Sequence, residues 1–72
     1  MKYFDTAAFA KKVKCNRVMA LNLNLRDAAL LIGVSAATLS RIENNKNSDI
    51  DSVLKCCSWL GCPITKFIKN KD

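Results

Sequence analysis

Laid out at roughly 100° per residue, Ala36, Ala37, Ser40, Arg41 and Asn44 share one side of a helix, and Leu39 and Ile42 lie on the other. The first set is small or polar and carries a single guanidinium. The chemistry open to such a face is recognition. A helix whose near side is Ala-Ala-Ser can lie close against the floor of a DNA groove, where alanine methyls meet thymine methyls and Arg41 can pair with guanine O6 and N7. An ordinary amphipathic helix with a solvated face would show the same pattern, so the neighbouring sequence has to decide. Bond-making chemistry has little support, because the chain has no histidine. Its few carboxylates are scattered through helix caps and surfaces, so no enzyme is expected.

The elements that would position this face run from Asn24 to Asn44. Two short apolar-periodic runs are separated by Gly33-Val34-Ser35. Asn24 suits the cap of the first, with Asp27 placed to return the contact, and Ser35 suits the cap of the second. Gly33 can take the positive backbone angle that ends a helix and lets the chain reverse within a few residues. Two helices joined by a short turn containing glycine form a helix-turn-helix, whose second helix enters the major groove.

The stretch Leu23 to Asn44, with the helix over Ser48–Gly61, resembles the Cro and phage-repressor type of helix-turn-helix domain, the XRE family. The resemblance rests on Ala29, on Gly33-Val34-Ser35, and on Thr38-Leu-Ser-Arg-Ile-Glu-Asn44. Downstream, Asp51 to Gly61 is similar to the family's fourth helix, and Pro63 to Ile68 to its fifth. It covers roughly residues 9 to 68 and implies an all-α, five-helix, lambda-repressor-like domain. The motif would lie at about 25–44 in a single domain over 1–72.

That reading assigns Ala36, Ala37, Ser40 and Arg41 to base contacts. It assigns Asn24, Arg26, Ser35, Thr38, Asn44 and Lys46 to phosphate contacts, Asn44 and Lys46 because the family grips the sugar–phosphate backbone with this loop. For Thr38, packing or simple solvation stays equally open. The first turn at Leu25, Arg26 and Asp27 offers free N–H groups to a phosphate. The family often has glutamine where Leu25, Ala36 and Ala37 stand, so readout here must come from methyl groups, Ser40, Arg41 or DNA shape. The resemblance also implies that Arg17, near the end of the first helix, pairs with Glu43. The Arg17-to-Leu23 spacing is one residue longer than is usual in the family.

Length and composition bound the alternatives. Seventy-two residues make one domain, half hydrophobic and one quarter charged, which suits a globule rather than a disordered tail. Twelve Lys and Arg against six Asp and Glu give +6 and a pI near 9.4, a balance suited to a polyanionic partner. No apolar run approaches the ~20 residues that span a bilayer, and Met-Lys-Tyr-Phe-Asp-Thr lacks the apolar core of a signal peptide. A cytoplasmic, nucleoid-associated protein without a membrane partner is expected. Cys15, Cys56, Cys57 and Cys62 show no paired C-x-x-C spacing. Core packing is a better account of them than metal or a disulfide, and neither cofactor nor small-molecule ligand is expected.

In chain order, Asp5 or Thr6 can cap a first helix reaching about Ala20 or Leu21, with Phe9 and Val13 inward. Lys11, Lys12 and Lys14 face elsewhere, where a solvated helix face accounts for them better than an approach to phosphates. The alternation Leu21-Asn-Leu-Asn-Leu25 reads as a turn with Asn22 left-handed, since a lone short strand would have no partner. Ser48 or Asp49 caps the next helix, with Ile50, Val53, Leu54, Cys57 and Leu60 as its apolar stripe. Pro63 opens a last helix in which Ile64, Phe67 and Ile68 close the core, and residues 69–72 are expected to fray. Trp59 falls outside the stripe and either covers the tail or anchors a homodimer. Two functions follow: a dimeric repressor or autoregulator on double-stranded DNA, or a protein-binding module of the same fold, such as an antitoxin core or adaptor.

Overall fold

A computed structural model describes residues 1–46 and 48–71. The order is β1 (Lys2–Phe4), α1 (Thr6–Cys15), a π-turn (Asn16–Ala20), α2 (Leu25–Ile32), α3 (Ala36–Glu43), α4 (Ile50–Leu60), a 3₁₀ turn (Ile64–Phe67) and β2 (Ile68–Asn70). Asn47 of the polar loop and Asp72 of the tail lie outside the described residues.

Each α-helix starts where a short acceptor can satisfy the free N–H groups. Asp5 accepts from Ala8 N at 3.0 Å, Asn24 from Asp27 N at 2.7 Å, Ser35 from Thr38 N at 3.1 Å and Asp49 from Ser52 N at 3.2 Å. The capping of α2 runs one way: among the described residues, Asp27 returns no bond to Asn24. Helices α2 and α4 end on left-handed Gly33 (φ +93°) and Gly61 (φ +74°).

The core gathers Phe9 and Val13 from α1, Ala28, Ala29 and Ile32 from α2, Leu39 and Ile42 from α3, Val53, Cys56 and Cys57 from α4, and Phe67. Leu39, Val13 and Cys56 are wholly enclosed. Leu21 to Asn24 forms no strand, and Asn22 sits at φ +50°, as the turn requires.

Five expectations are corrected. The first helix does not continue regularly to Ala20. From Asn16 it widens into a π-turn closed by Leu21 N–H donating to Asn16 O at 3.1 Å. A π-turn takes up one extra residue without breaking the helix, which accommodates the long Arg17-to-Leu23 spacing.

The fifth helix is reduced to the four-residue 3₁₀ turn. Beyond it the backbone finds partners in β1, pairing antiparallel with Phe4↔Ile68 and Tyr3↔Lys69. Residues 69–71 are accordingly tied down, and Lys71 N–H donates to Met1 O at 2.7 Å. A two-stranded sheet thus joins the two ends of a chain expected to be all-α.

The stripe on α4 is rotated. Ile50 is 60% exposed and Leu54 47%, whereas Ser52 and Cys56 are buried. Ser52 can be enclosed because its hydroxyl donates to Asp49 at 2.7 Å.

Candidate nucleic-acid interface

Helix α3 is fixed from its inner side. Leu39 and Ile42 are buried among residues of the other helices. One turn on, Glu43 accepts from Arg17 twice, from Nε at 2.7 Å and from Nη2 at 2.8 Å. The remaining Arg17 nitrogen, Nη1, donates to Leu23 O at 3.0 Å, so one guanidinium binds the π-turn to α3 and to the approach of α2. The side chains are 14% and 7% exposed. The hydrogen bonds with Glu43 raise the Arg17 pKa above its ordinary value against the opposing effect of burial.

The turn into α3 is held as tightly. Gly33 N–H and Val34 N–H both donate to Ala29 O, at 2.9 and 3.1 Å. From α4, Lys55 Nζ donates to Gly33 O at 3.3 Å. Sequence reasoning missed Lys55, and no local signal could have revealed it, because the contact joins positions 22 apart. The Ser35 hydroxyl donates to Thr38 Oγ1 at 2.9 Å while accepting from Thr38 N–H, which presets the start of the helix.

Outward, Ala37, Arg41 and Asn44 are exposed and Ser40 is half-exposed. Among the described residues the Arg41 guanidinium has no hydrogen-bond or carboxylate partner. Asn44 Nδ2 donates to Ser40 O at 2.8 Å and lies 3.4 Å from Ser40 Oγ, so these two polar groups act as a local pair. Ala36 stands apart from the other three residues expected to touch bases. It is half-buried against the core, because on the helical projection it borders Leu39 and Glu43.

Of the residues expected on phosphates, Asn24, Arg26, Ser35, Asn44 and Lys46 are exposed and Thr38 is half-exposed. Lys46 leaves α3 through Asn45, which is left-handed at φ +59°, and its N–H donates to Arg41 O at 2.9 Å. Asn24, Arg26, Ser35 and Thr38 cluster at the two helix N-termini, where free N–H groups and the helix dipole favour an anion. Trp59 is half-buried at the edge of the core.

Two of the four thiols, Cys56 and Cys57, lie in the interior, and Cys15 and Cys62 are half-buried. Burial, reinforced by the neighbouring Cys57, pushes Cys56 up to about 11. Burial also raises Cys57. Among the described residues no cluster of three potential metal ligands occurs, and no helix is long and apolar enough to cross a membrane.

The family model described as helix-turn-helix matches residues 16–67, from the π-turn to the end of the 3₁₀ turn. No curated relative matches the chain.

Proposed function

The chain belongs to the Cro and phage-repressor type of helix-turn-helix family, a family of DNA-binding regulators rather than of enzymes, and we propose that it acts as a dimeric transcriptional repressor or autoregulator. In this reading α3 enters the major groove, Arg41 reads a guanine, and Ala37 and Ser40 approach neighbouring base edges. Ala36 contributes at most the edge of its methyl. Arg26, Asn24, Ser35 and Thr38 hold one phosphate run, and Asn44 and Lys46 hold the next.

The observation that carries the reading is the exposed Arg41, without a partner among the described residues, on a small-residue face whose opposite side is anchored in the core. Each protomer offers one such helix and measures 38 × 22 × 19 Å. Reading two successive major grooves, ~34 Å apart on one side of the duplex, therefore takes two copies on an inverted repeat. Trp59 is the residue we place in the contact between them.

Selection from a random DNA pool tests this directly and should return a palindromic site. On that site Arg41→Ala should cost about 1–3 kcal/mol and relax preference at one base pair, whereas Lys46→Ala should weaken binding to all sequences alike. If both variants behave identically on selected and random duplexes, the division into reading and gripping residues is wrong. A flat response of affinity to salt would instead favour a protein partner.

A further inference from the structure

The two-stranded ribbon lies largely beyond the residues matched by the family model, so membership does not explain it. Its faces differ. Phe4 and Ile68 form one cross-strand pair, and Phe4 packs edge-on against Phe9 with ring centroids 5.3 Å apart. Side chains alternate along a strand, so the next pair, Tyr3 and Lys69, points away from the core, as does Lys71 two residues on. Tyr3 is 46% exposed, and it lines a shallow concavity with Met1 and Lys71. Residues 1–5 and 64–72 contain four lysines (Lys2, Lys66, Lys69 and Lys71) against two carboxylate side chains, Asp5 and Asp72.

The position of the ribbon matters as much as its charge. A small cavity is walled by Phe4 and Thr6 on one side and by Lys46 and Ser48 on the other. The inner end of the ribbon therefore lies beside the loop that leaves α3. We propose that the outward face of this ribbon, with Tyr3, Lys69 and Lys71, is a second duplex-contacting surface that grips the phosphate backbone next to Lys46. The proposal rests on the DNA-binding reading and lengthens its footprint.

The alternative occupant of an open strand edge is another strand, from a second copy. Lysines along the edge disfavour it, since pairing two such ribbons brings like charges together. A phosphate run instead neutralises them. Lysine ammonium groups on flexible stems and a tyrosine hydroxyl are donors that DNA-binding proteins direct at phosphates. Attraction of this kind is screened beyond ~10 Å at 0.1 M salt, so only a duplex already docked nearby engages the ribbon.

The test compares wild type, Lys69→Gln/Lys71→Gln, and the charge-matched control Lys11→Gln/Lys14→Gln on the flank of α1. Affinity for a selected duplex is measured across a salt series, with circular dichroism to check that each variant is folded. Two lost phosphate contacts should reduce the log–log salt slope of the ribbon variant by ~1.8, at ~0.9 per phosphate, leaving base preference unchanged. The control should keep the wild-type slope. A ribbon variant with the wild-type slope overturns the proposal but leaves the function standing. An equal loss in the control also overturns it, because net charge alone would then explain the change. Absence of duplex binding by wild type removes the function and the ribbon's role together.

Discussion

Replacing Arg17 by alanine removes three hydrogen bonds at once and leaves Glu43, 7% exposed, without its counter-ion. Exposed ion pairs are worth about 0–1 kcal/mol, whereas removing one partner of a fully buried pair costs about 3–5 kcal/mol. The Arg17–Glu43 pair is bidentate and mostly shielded, yet Arg17 keeps 14% of its side chain in solvent. A loss of about 2–3 kcal/mol is therefore expected, toward the buried limit but discounted for that access. In a domain of this size each kcal/mol moves the Tm by about 4–8 °C, so the variant should melt roughly 10–20 °C lower.

Urea and thermal unfolding of wild type, Arg17→Ala, Glu43→Ala and the double variant form a complete cycle. The double variant should be little worse than either single one, giving a coupling of about 1.5 kcal/mol or more for residues in direct contact. Arg17→Ala should still prefer the wild-type operator at a temperature where it is folded, because Arg17 faces the interior. A loss below about 0.5 kcal/mol, or additive single effects, would refute the claim that this pair locks α3 to the first helix.

Two further outcomes follow from the same geometry. Gly33→Ala meets no crowding, since the nearest atom to an added Cβ is Lys55 Cδ at 3.9 Å. The left-handed backbone should nonetheless cost about 1–2 kcal/mol, measurable as a lower urea midpoint and a smaller loss for Gly33→Asn. Cys56, with its pKa near 11, should resist thiol reagents in the folded protein while half-exposed Cys15 and Cys62 react. Its folded-state pKa lies above the ordinary thiol value, so the native chain retains a proton that the unfolded chain releases. Stability from this group is therefore present below pH 9 and falls as pH rises toward 11. The stability gap between wild type and Cys56→Ala should narrow over that window, and a constant gap would count against the burial argument.

What was legible in the sequence was what local chemistry decides. Asn24, Ser35 and Asp49 cap because short side-chain acceptors satisfy nearby N–H groups, and Gly33 ends α2 because it tolerates a positive φ. Leu39 and Ile42 are buried at the spacing one helix face requires. The errors arose where long-range packing decides. Lys2–Phe4 and Ile68–Asn70 are too short, at three residues each, to show a strand's alternation, and their pairing depends on the ends of the chain meeting. On α4, periodicity could not separate Leu54 from Cys56, because each lies on an arc adjoining Val53 and Cys57. Which arc is covered depends on where the neighbouring helices sit. Thus Cys56 is enclosed and Leu54 is not. The additional residue after Arg17 was visible as a spacing, but its accommodation as a π-turn required knowing that both Arg17 and Leu23 had to stay in place.

The orientation of the outward face is a consequence of what faces inward. Eight residues are too few for a helix to be stable in water by itself, so α3 owes its angle to Leu39, Ile42, Glu43 and the Ser35 cap. Turning it by one residue, roughly 100°, would bring Arg41 toward the place of Ile42 and desolvate an unpaired guanidinium at a prohibitive cost. It would also pull Glu43 away from Arg17. The same constraint sets Ala36 at the margin and Ala37 in the open, although the two are chemically identical. Changing an outward residue should therefore alter which sequence is preferred while the fold persists. Changing an inward one should alter the fraction folded while the preference of the folded molecules persists. Arg41 and Arg17, two arginines on opposite sides of one short helix, are the sharpest pair on which to separate these effects.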